Sequence, residues 1–413
     1  MYVKQAVLLA AAASMVAANP VPAHTPPGRK RDFPYPNGNK FGLNGLDFYF
    51  AGSNAYYLPF SNDYADNLAG LKAARKVGLK VMRTWCFNDR NATFDPNGLP
   101  KYFEDWTGTW FTEWKDGGVT INYGPTGLQK LDAVVKAAEE ADVKLVMTLT
   151  NNWADYGGMD VYTINLGHKY HDDFYSKPDI ISKFKDYVKV VVQRYKHSKA
   201  IFSWQLGNEP RCGADGNRNL PRSPDCNPAK LHAWFVEISA FIKSLDPDHM
   251  VSVGSEGAFN HPEDPDWAYN GADGTDFDAE LDIPTVDYGT FHLYPDWWSK
   301  TPQWGTQWIK DHAAAGRAAN KPVVFEEYGW LTPDKRLEYL GQVSNYTRLE
   351  VIREWQETSI AERIAGDQYW QFGWYGWSYG PNHNDGFTIF LNDTEAGEII
   401  NKHARHVSAL NHK

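Results

Sequence analysis

The chain has 413 residues, of which 22% are charged and 42% hydrophobic, a balance that allows an extensive core and argues against a disordered chain. Its formal net charge of −10 at pH 7 offers no general attraction for nucleic acid or an anionic membrane, so neither is expected as a partner. A neutral or weakly charged substrate fits better.

Residues 1–18 combine Lys4, the apolar stretch QAVLLAAAASMVAA and small residues at Val16, Ala17 and Ala18, the pattern of a secretory signal peptide rather than a membrane span. Residues 19–40 are Pro-rich and contain the basic GRKR at 28–31, and read as a leader or propeptide. Residues 41–413 then form a single domain, expected to be secreted and extracellular. In that compartment Cys212 and Cys226 are candidates for a disulfide stapling one loop, which leaves Cys86 free or buried. Asn91, Asn345 and Asn392 open N-x-S/T sequons and are candidate glycan sites.

Apolar or β-branched runs predict strands over 48–56, 79–87, 144–150, 201–208, 250–254, 286–293, 322–327 and 368–372. Between them, helical patterns cover 127–141, 178–195, 232–245 and 307–319, and a broken one covers 335–361. Eight strands alternating with helices predict an α/β fold, a (β/α)8 TIM barrel with elaborated loops at one face. A doubly wound sheet is the alternative, but no strand is followed by a dinucleotide-binding Gly fingerprint.

Two strand ends carry carboxylates. SWQLGNEPR (203–211) is an apolar run that ends in Glu209, and PVVFEEYGW (322–330) places Glu327 at the exit of the seventh run. A barrel gathers its strand ends on one rim, so the two glutamates can act together as acid and nucleophile or base on an acetal bond. The ordinary alternative for any strand-end Glu is a structural salt bridge. Glu326 competes with Glu327, because adjacent strand residues face opposite ways. The 17 Trp cluster in polar, Gly- or Pro-containing stretches, where flat indole faces suit hydroxyl-rich rings. Trp153, Trp297 and Trp374 are candidate groove platforms.

VMRTWCFND, TNNWADYGG, WQLGNEPR, TFHLYP, VVFEEYGW and YWQFG together resemble glycoside hydrolase family five and its fungal secreted endo-β-1,4-mannanases, over roughly residue 41 to the end. The resemblance implies retaining hydrolysis of internal β-1,4-mannosidic bonds in mannan, glucomannan or galactomannan by double displacement. Glu209 matches the acid/base and Glu327 the nucleophile, with an expected carboxyl separation of about 5–5.5 Å. Arg83 and Trp85 in RTW, Asn208, His292 and Tyr294 in HLY, and Trp370 in YWQ match surrounding substrate-binding positions. No cofactor is implied. The cluster HKYHDD at 168–173 has neither zincin nor calcium-loop spacing, so no metal is expected either. The chain is expected to act as a monomer on β-mannan polysaccharides and oligosaccharides. Another β-1,4-glycanase such as an endoglucanase, an exo-acting β-mannosidase, and a non-enzymatic carbohydrate-binding protein are the competing functions.

Overall fold

In a computed structural model, residues 32–412 other than 61, 92–107 and 217 are described. Eight short buried runs pair in parallel: β1 (Phe50–Asn54), β2 (Val81–Trp85), β3 (Lys144–Thr148), β4 (Ile201–Gln205), β5 (Met250–Ser252), β6 (Gly289–Leu293), β7 (Val323–Tyr328) and β8 (Gly366–Tyr369). The hydrogen-bonded order β5-β4-β3-β2-β1-β8-β7-β6 is the chain order carried around a ring. Asp287 joins the two ends: its N–H donates to the Val251 carbonyl at 2.8 Å, and its carboxylate accepts from the Val251 N–H at 2.7 Å. The result is the expected TIM barrel. Because side chains cover both faces of the sheet, the strands are buried almost throughout rather than on alternate residues.

The outer helices are α1 (Tyr64–Lys76), α2 (Leu128–Ala141), α3 (Pro178–Tyr195), α4 (Pro228–Leu245), α5 (Phe277–Asp282), α6 (Pro302–Ala319), α7 (Arg348–Ala361) and α8 (His403–Ser408). In α3 the residues Ile180, Ile181, Phe184, Tyr187, Val188, Val191, Val192 and Tyr195 are buried, a stripe at helical spacing that faces the barrel. Helices α4 and α6 start earlier than their periodicity predicts. The side chains of Asn227 and Thr301 cap them, and Pro228 and Pro302 fill their first turns, where a missing N–H costs nothing. The 335–361 pattern is broken as expected: Pro333–Leu340 ends at Gly341 in the left-handed region (φ 64°), and a Thr347–Glu350 capping box starts α7. Helix α1 escaped prediction because its buried face mixes Asn67 and Gly70 with Leu71 and Ala74, which leaves little apolar period.

At the amino-terminal end, Tyr35–Asn37, Lys40–Leu43 and Leu46–Asp47 form an antiparallel sheet across the barrel's floor. Phe41 is fully buried there against Phe50, Val81, Phe202 and Tyr288. Residues 32–40, expected to belong to the leader, are therefore part of the folded unit. The signal-peptide expectation for 1–18 and the leader expectation for 19–31 lie outside the described residues.

The Cys212–Cys226 disulfide is formed and Cys86 is free and buried. Asn345 and Asn392 are exposed. Asn91 is buried, and its side-chain oxygen accepts from Asn165 at 3.1 Å. The Asn91 side chain is thus not open to a glycan in the folded chain, a correction to the expectation.

Candidate active site

The strand exits open into a cleft of about 860 Å³. Glu209 enters it just after β4, with its backbone in the left-handed region (φ 52°), a conformation that costs a non-Gly residue roughly 1–3 kcal/mol and persists only where neighbours enforce it. They do: the Glu209 N–H donates to Gly254 O at 2.8 Å and the Asn208 N–H to Thr150 O at 2.8 Å. The turn is thus pinned to the exits of both flanking strands.

Glu327 sits on β7. Between β6 and β7 the register slips, so that Phe291 pairs with Phe325 but His292 pairs with Glu327, leaving Glu326 as the extra residue of a bulge. Both glutamates consequently turn into the barrel. Glu326 is fully buried and accepts from Gln205 Nε2 at 2.7 and 2.8 Å. Glu327 stands higher, lines the cleft, and receives the Tyr294 hydroxyl at 2.7 Å and the Arg83 guanidinium. A carboxylate oxygen of Glu209, one of Glu327 and a ring nitrogen of His292 all lie within 4.8 Å of one another.

Arg83, on β2, is completely buried. Its Nε donates to Gln205 Oε1 at 2.7 Å, Nη2 to Asn208 Oδ1 at 2.7 Å and Nη1 to Asn54 Oδ1 at 3.1 Å, besides the contact with Glu327. Asn208 passes the order on, donating to Asn151 Oδ1 at 3.0 Å. His292 is also fully buried; Nδ1 lies 2.6 Å from Glu209 Oε1 and Nε2 3.4 Å from Glu326 Oε2. The Trp153 indole N–H donates to Glu209 Oε2 at 2.5 Å. Arg83 and His292 are thus both buried beneath the carboxylates and Asn208, Arg83 bonding to Glu327 and His292 to Glu209.

Burial lowers the His292 pKa, but the charge of Glu327 and the hydrogen bond to Glu209 outweigh it and hold the imidazole up at about 10. Burial pushes Glu209 up, yet the hydrogen bond and charge of His292, with Trp153 and Arg211, bring it below the ordinary value. Glu327 is raised by burial, against the pull of His292 and Arg83 and with the charge of Glu209 adding to the rise. The two carboxyls thus titrate as a linked pair with His292 between them.

Of the aromatic candidates, Trp85, Trp153, Trp297 and Trp370 line the cleft, together with Asn208 and Tyr294. Trp370 is stacked on Tyr56 (centroids 5.4 Å apart, planes at 6°), and its indole N–H donates to Asp385 at 2.7 Å. Trp374 does not line the cleft. It meets Trp377 edge-on at 4.8 Å, its backbone N–H bound by Asn382 at 2.9 Å, so packing rather than sugar explains it. His383 and Asp385, read from the sequence as a polar rim loop, do line the cleft. Members of the HKYHDD cluster go separate ways: His171 pairs with Asp160 at 2.9 Å, His168 with Asp179 at 3.0 Å and Asp172 with Lys230 at 2.7 Å.

Sequence reasoning passed over Tyr56, Arg211 and Glu256, all of which line the cleft. Tyr56 and Glu256 each follow a barrel strand, β1 and β5, the same signal that singled out Glu209 and Glu327. Arg211 pairs with Glu256, whose carboxyl is pushed up to about 7 by burial against the pull of Arg211.

A paired-carboxylate cleft at the strand exits of a (β/α)8 barrel defines a glycosidase architecture, and comparison with known proteins agrees. Residues 120–412 match the family model described as glycoside hydrolase family 5 beta-mannosidase-like. A probable mannan endo-1,4-beta-mannosidase C from Aspergillus terreus is 58% identical over 393 residues, covering 94% of this chain and 95% of that protein. The mannan endo-1,4-beta-mannosidase A of Podospora anserina is 37% identical, with 91% of each chain covered. The crystal structure of an endo-1,4-beta-mannanase from Rhizomucor miehei superposes with a TM-score of 0.79 at 38% identity, covering 91% of this chain and 99% of that one. The chain belongs to glycoside hydrolase family 5.

Proposed function

We propose that the protein is a retaining endo-β-1,4-mannanase that cleaves internal bonds of mannan, glucomannan or galactomannan. The observation that carries the reading is the approach of Glu209 and Glu327 to within 4.8 Å, oxygen to oxygen. This suits double displacement, whose carboxyls stand about 5–5.5 Å apart, and is too close for the intervening water of an inverting enzyme, which needs about 6.5–9.5 Å. The mannan specificity is supported by the activities for which the relatives are named, including one 58% identical along nearly the whole chain.

In this mechanism Glu327 attacks the anomeric carbon, held as an anion by Arg83 and Tyr294. Glu209 protonates the departing glycosidic oxygen, and the proton it delivers is the one it shares with His292 across their 2.6 Å contact. Once that proton has moved to Glu209, the imidazole is neutral and Glu327 retains Arg83 and Tyr294 as donors. After the leaving sugar departs, ionised Glu209 takes a proton from water, which attacks the glycosyl-enzyme from the vacated side and restores the configuration. Trp370, stacked on Tyr56, offers an apolar face to the sugar ring.

Secretion and action as a monomer belong to the same proposal. The Cys212–Cys226 bond suits an oxidising compartment, and among the described residues no helix is long and apolar enough to cross a membrane. The test is a time-resolved product profile on matched mannan and cellulose oligomers, with E209Q and E327Q alongside. Internal cleavage of mannan, abolished in both variants, is the expected result. Efficient attack only on cellulose, release of single mannose units from one end, or wild-type turnover in either variant rejects it.

A further inference from the structure

At the rim of the cleft, two short helices stack one aromatic ring against another. Trp297 lies on the Pro295–Trp298 helix, lines the cleft and is 48% exposed; Tyr339 lies on Pro333–Leu340 and is 41% exposed. Their rings are near-parallel, 6.1 Å between centroids at 23°. Pro333–Leu340 has no buried residue of its own to hold it down. Its Leu340 packs on the cluster of Tyr294, Leu331 and Phe387, and its Arg336 lies over the Trp330 ring and against the fully buried side chain of Asp296, the residue next to Trp297. Asp296 also accepts the Leu331 N–H at 2.8 Å. Asp296 thus touches both the segment that follows β7 and the Pro333–Leu340 helix.

Single exposed rings need no explanation, but a contiguous exposed aromatic patch marks a binding surface. Here the exposed surface is continuous with the cleft, because Trp297 belongs to both. Resting on the mannanase reading, we propose that Trp297 and Tyr339 extend the cleft at its rim as a sugar-binding platform, gripping the same β-1,4-mannan chain several units from the bond being cleaved. Neutral hydroxyl-rich rings suit this surface: their C–H faces lie on exposed indole and phenol, while the Lys335–Glu338 ion pair beside Tyr339 places polar groups next to the rings.

The test is chain-length dependence. Tyr339→Ala and Tyr339→Trp are compared with the wild type on β-1,4-mannan oligomers from tetramer to octamer and on the polymer. A stacking contact of ordinary strength predicts that Y339A raises KM about three- to tenfold on the longest substrates. Its kcat and its tetramer kinetics should stay unchanged, and Y339W should restore wild-type KM. Unchanged KM at every length, or an equal loss at every length, overturns the platform. So does a change in sedimentation behaviour without a length effect, which would make the patch a contact between two copies of the chain. A wild type inactive on every mannan overturns the mannanase reading itself and this inference with it.

Discussion

Glu326 and Glu327 are consecutive on one strand yet both enter the barrel, one beneath the other: Glu326 is bound to Gln205 and Glu327 to Arg83 and Tyr294. The bulge opposite His292 makes this possible. Phe325 and Tyr328, on either side, both pack outward and stack at 4.2 Å. The two acids are therefore predicted to separate sharply on substitution. Glu327→Gln should lower kcat about 10³-fold or more, as expected when a nucleophile is lost. Glu326→Gln keeps an oxygen for Gln205 and should lower kcat no more than about tenfold; steady-state kinetics on a mannan oligomer distinguishes them.

That pair also marks the limit of what the chain's pattern discloses. Alternation along a strand says that one of two neighbours faces inward; a bulge cancels the rule, and its signal lies in pairing, which no single strand carries. The barrel was legible because its strands recur as apolar runs with helical periods between them. Glu209 and Glu327 were legible because acids at strand exits are conspicuous. Glu256 carried the same mark in GSEG and went unread. Arg83 was legible in RTW, but its bonds to Gln205, Asn54 and Asn208 join separate strands and lie in pairing that no single strand carries. Trp370 and Trp374, four positions apart in one aromatic stretch, differ in role only through Asn382 and Trp377, which hold the second aside.

Arg83 makes four contacts with a rigid planar fork, which a lysine cannot reproduce. Arg83→Lys leaves at least one buried acceptor among Gln205, Asn54 and Asn208 without its donor, a loss of about 1–3 kcal/mol. It should also release Glu327 from its position. The expected outcome is a lower urea midpoint together with a kcat reduced by about 10²-fold, read from equilibrium unfolding and initial rates on the same preparation.

Glu280 is buried on α5 and accepts from the Ser255 hydroxyl at 2.6 Å. Burial, opposed by Ser255 and aided by Asp273, pushes its carboxyl up to about 8, so the folded protein holds it protonated at neutral pH. Because the folded value lies above the ordinary one, its contribution to stability is intact below about pH 4.5 and drains away as pH climbs through about 8. In that window a single group changes stability by at most about 1.4 kcal/mol per pH unit. Glu280→Gln should flatten this part of the stability–pH curve, measured by urea unfolding from pH 4 to 9.

The disulfide closes a loop with a sequence separation of 14, for which chain-entropy arguments give about 3 kcal/mol. Replacing Cys212 and Cys226 by Ser should lower the thermal midpoint, and reductant should do the same to the wild type but not to the double variant. Calorimetry with and without reductant checks both arms.

Phe41 closes the lower end of the barrel from a strand that precedes β1. An eight-stranded barrel has a bore just wide enough for side chains to fill, so this ring is a stopper supplied from upstream. Any proteolytic trimming of the amino terminus therefore meets a firm downstream limit. A cut ahead of Tyr35 leaves the stopper seated, whereas one that removes it lets water into a greasy bore at the end of the enzyme farthest from its chemistry.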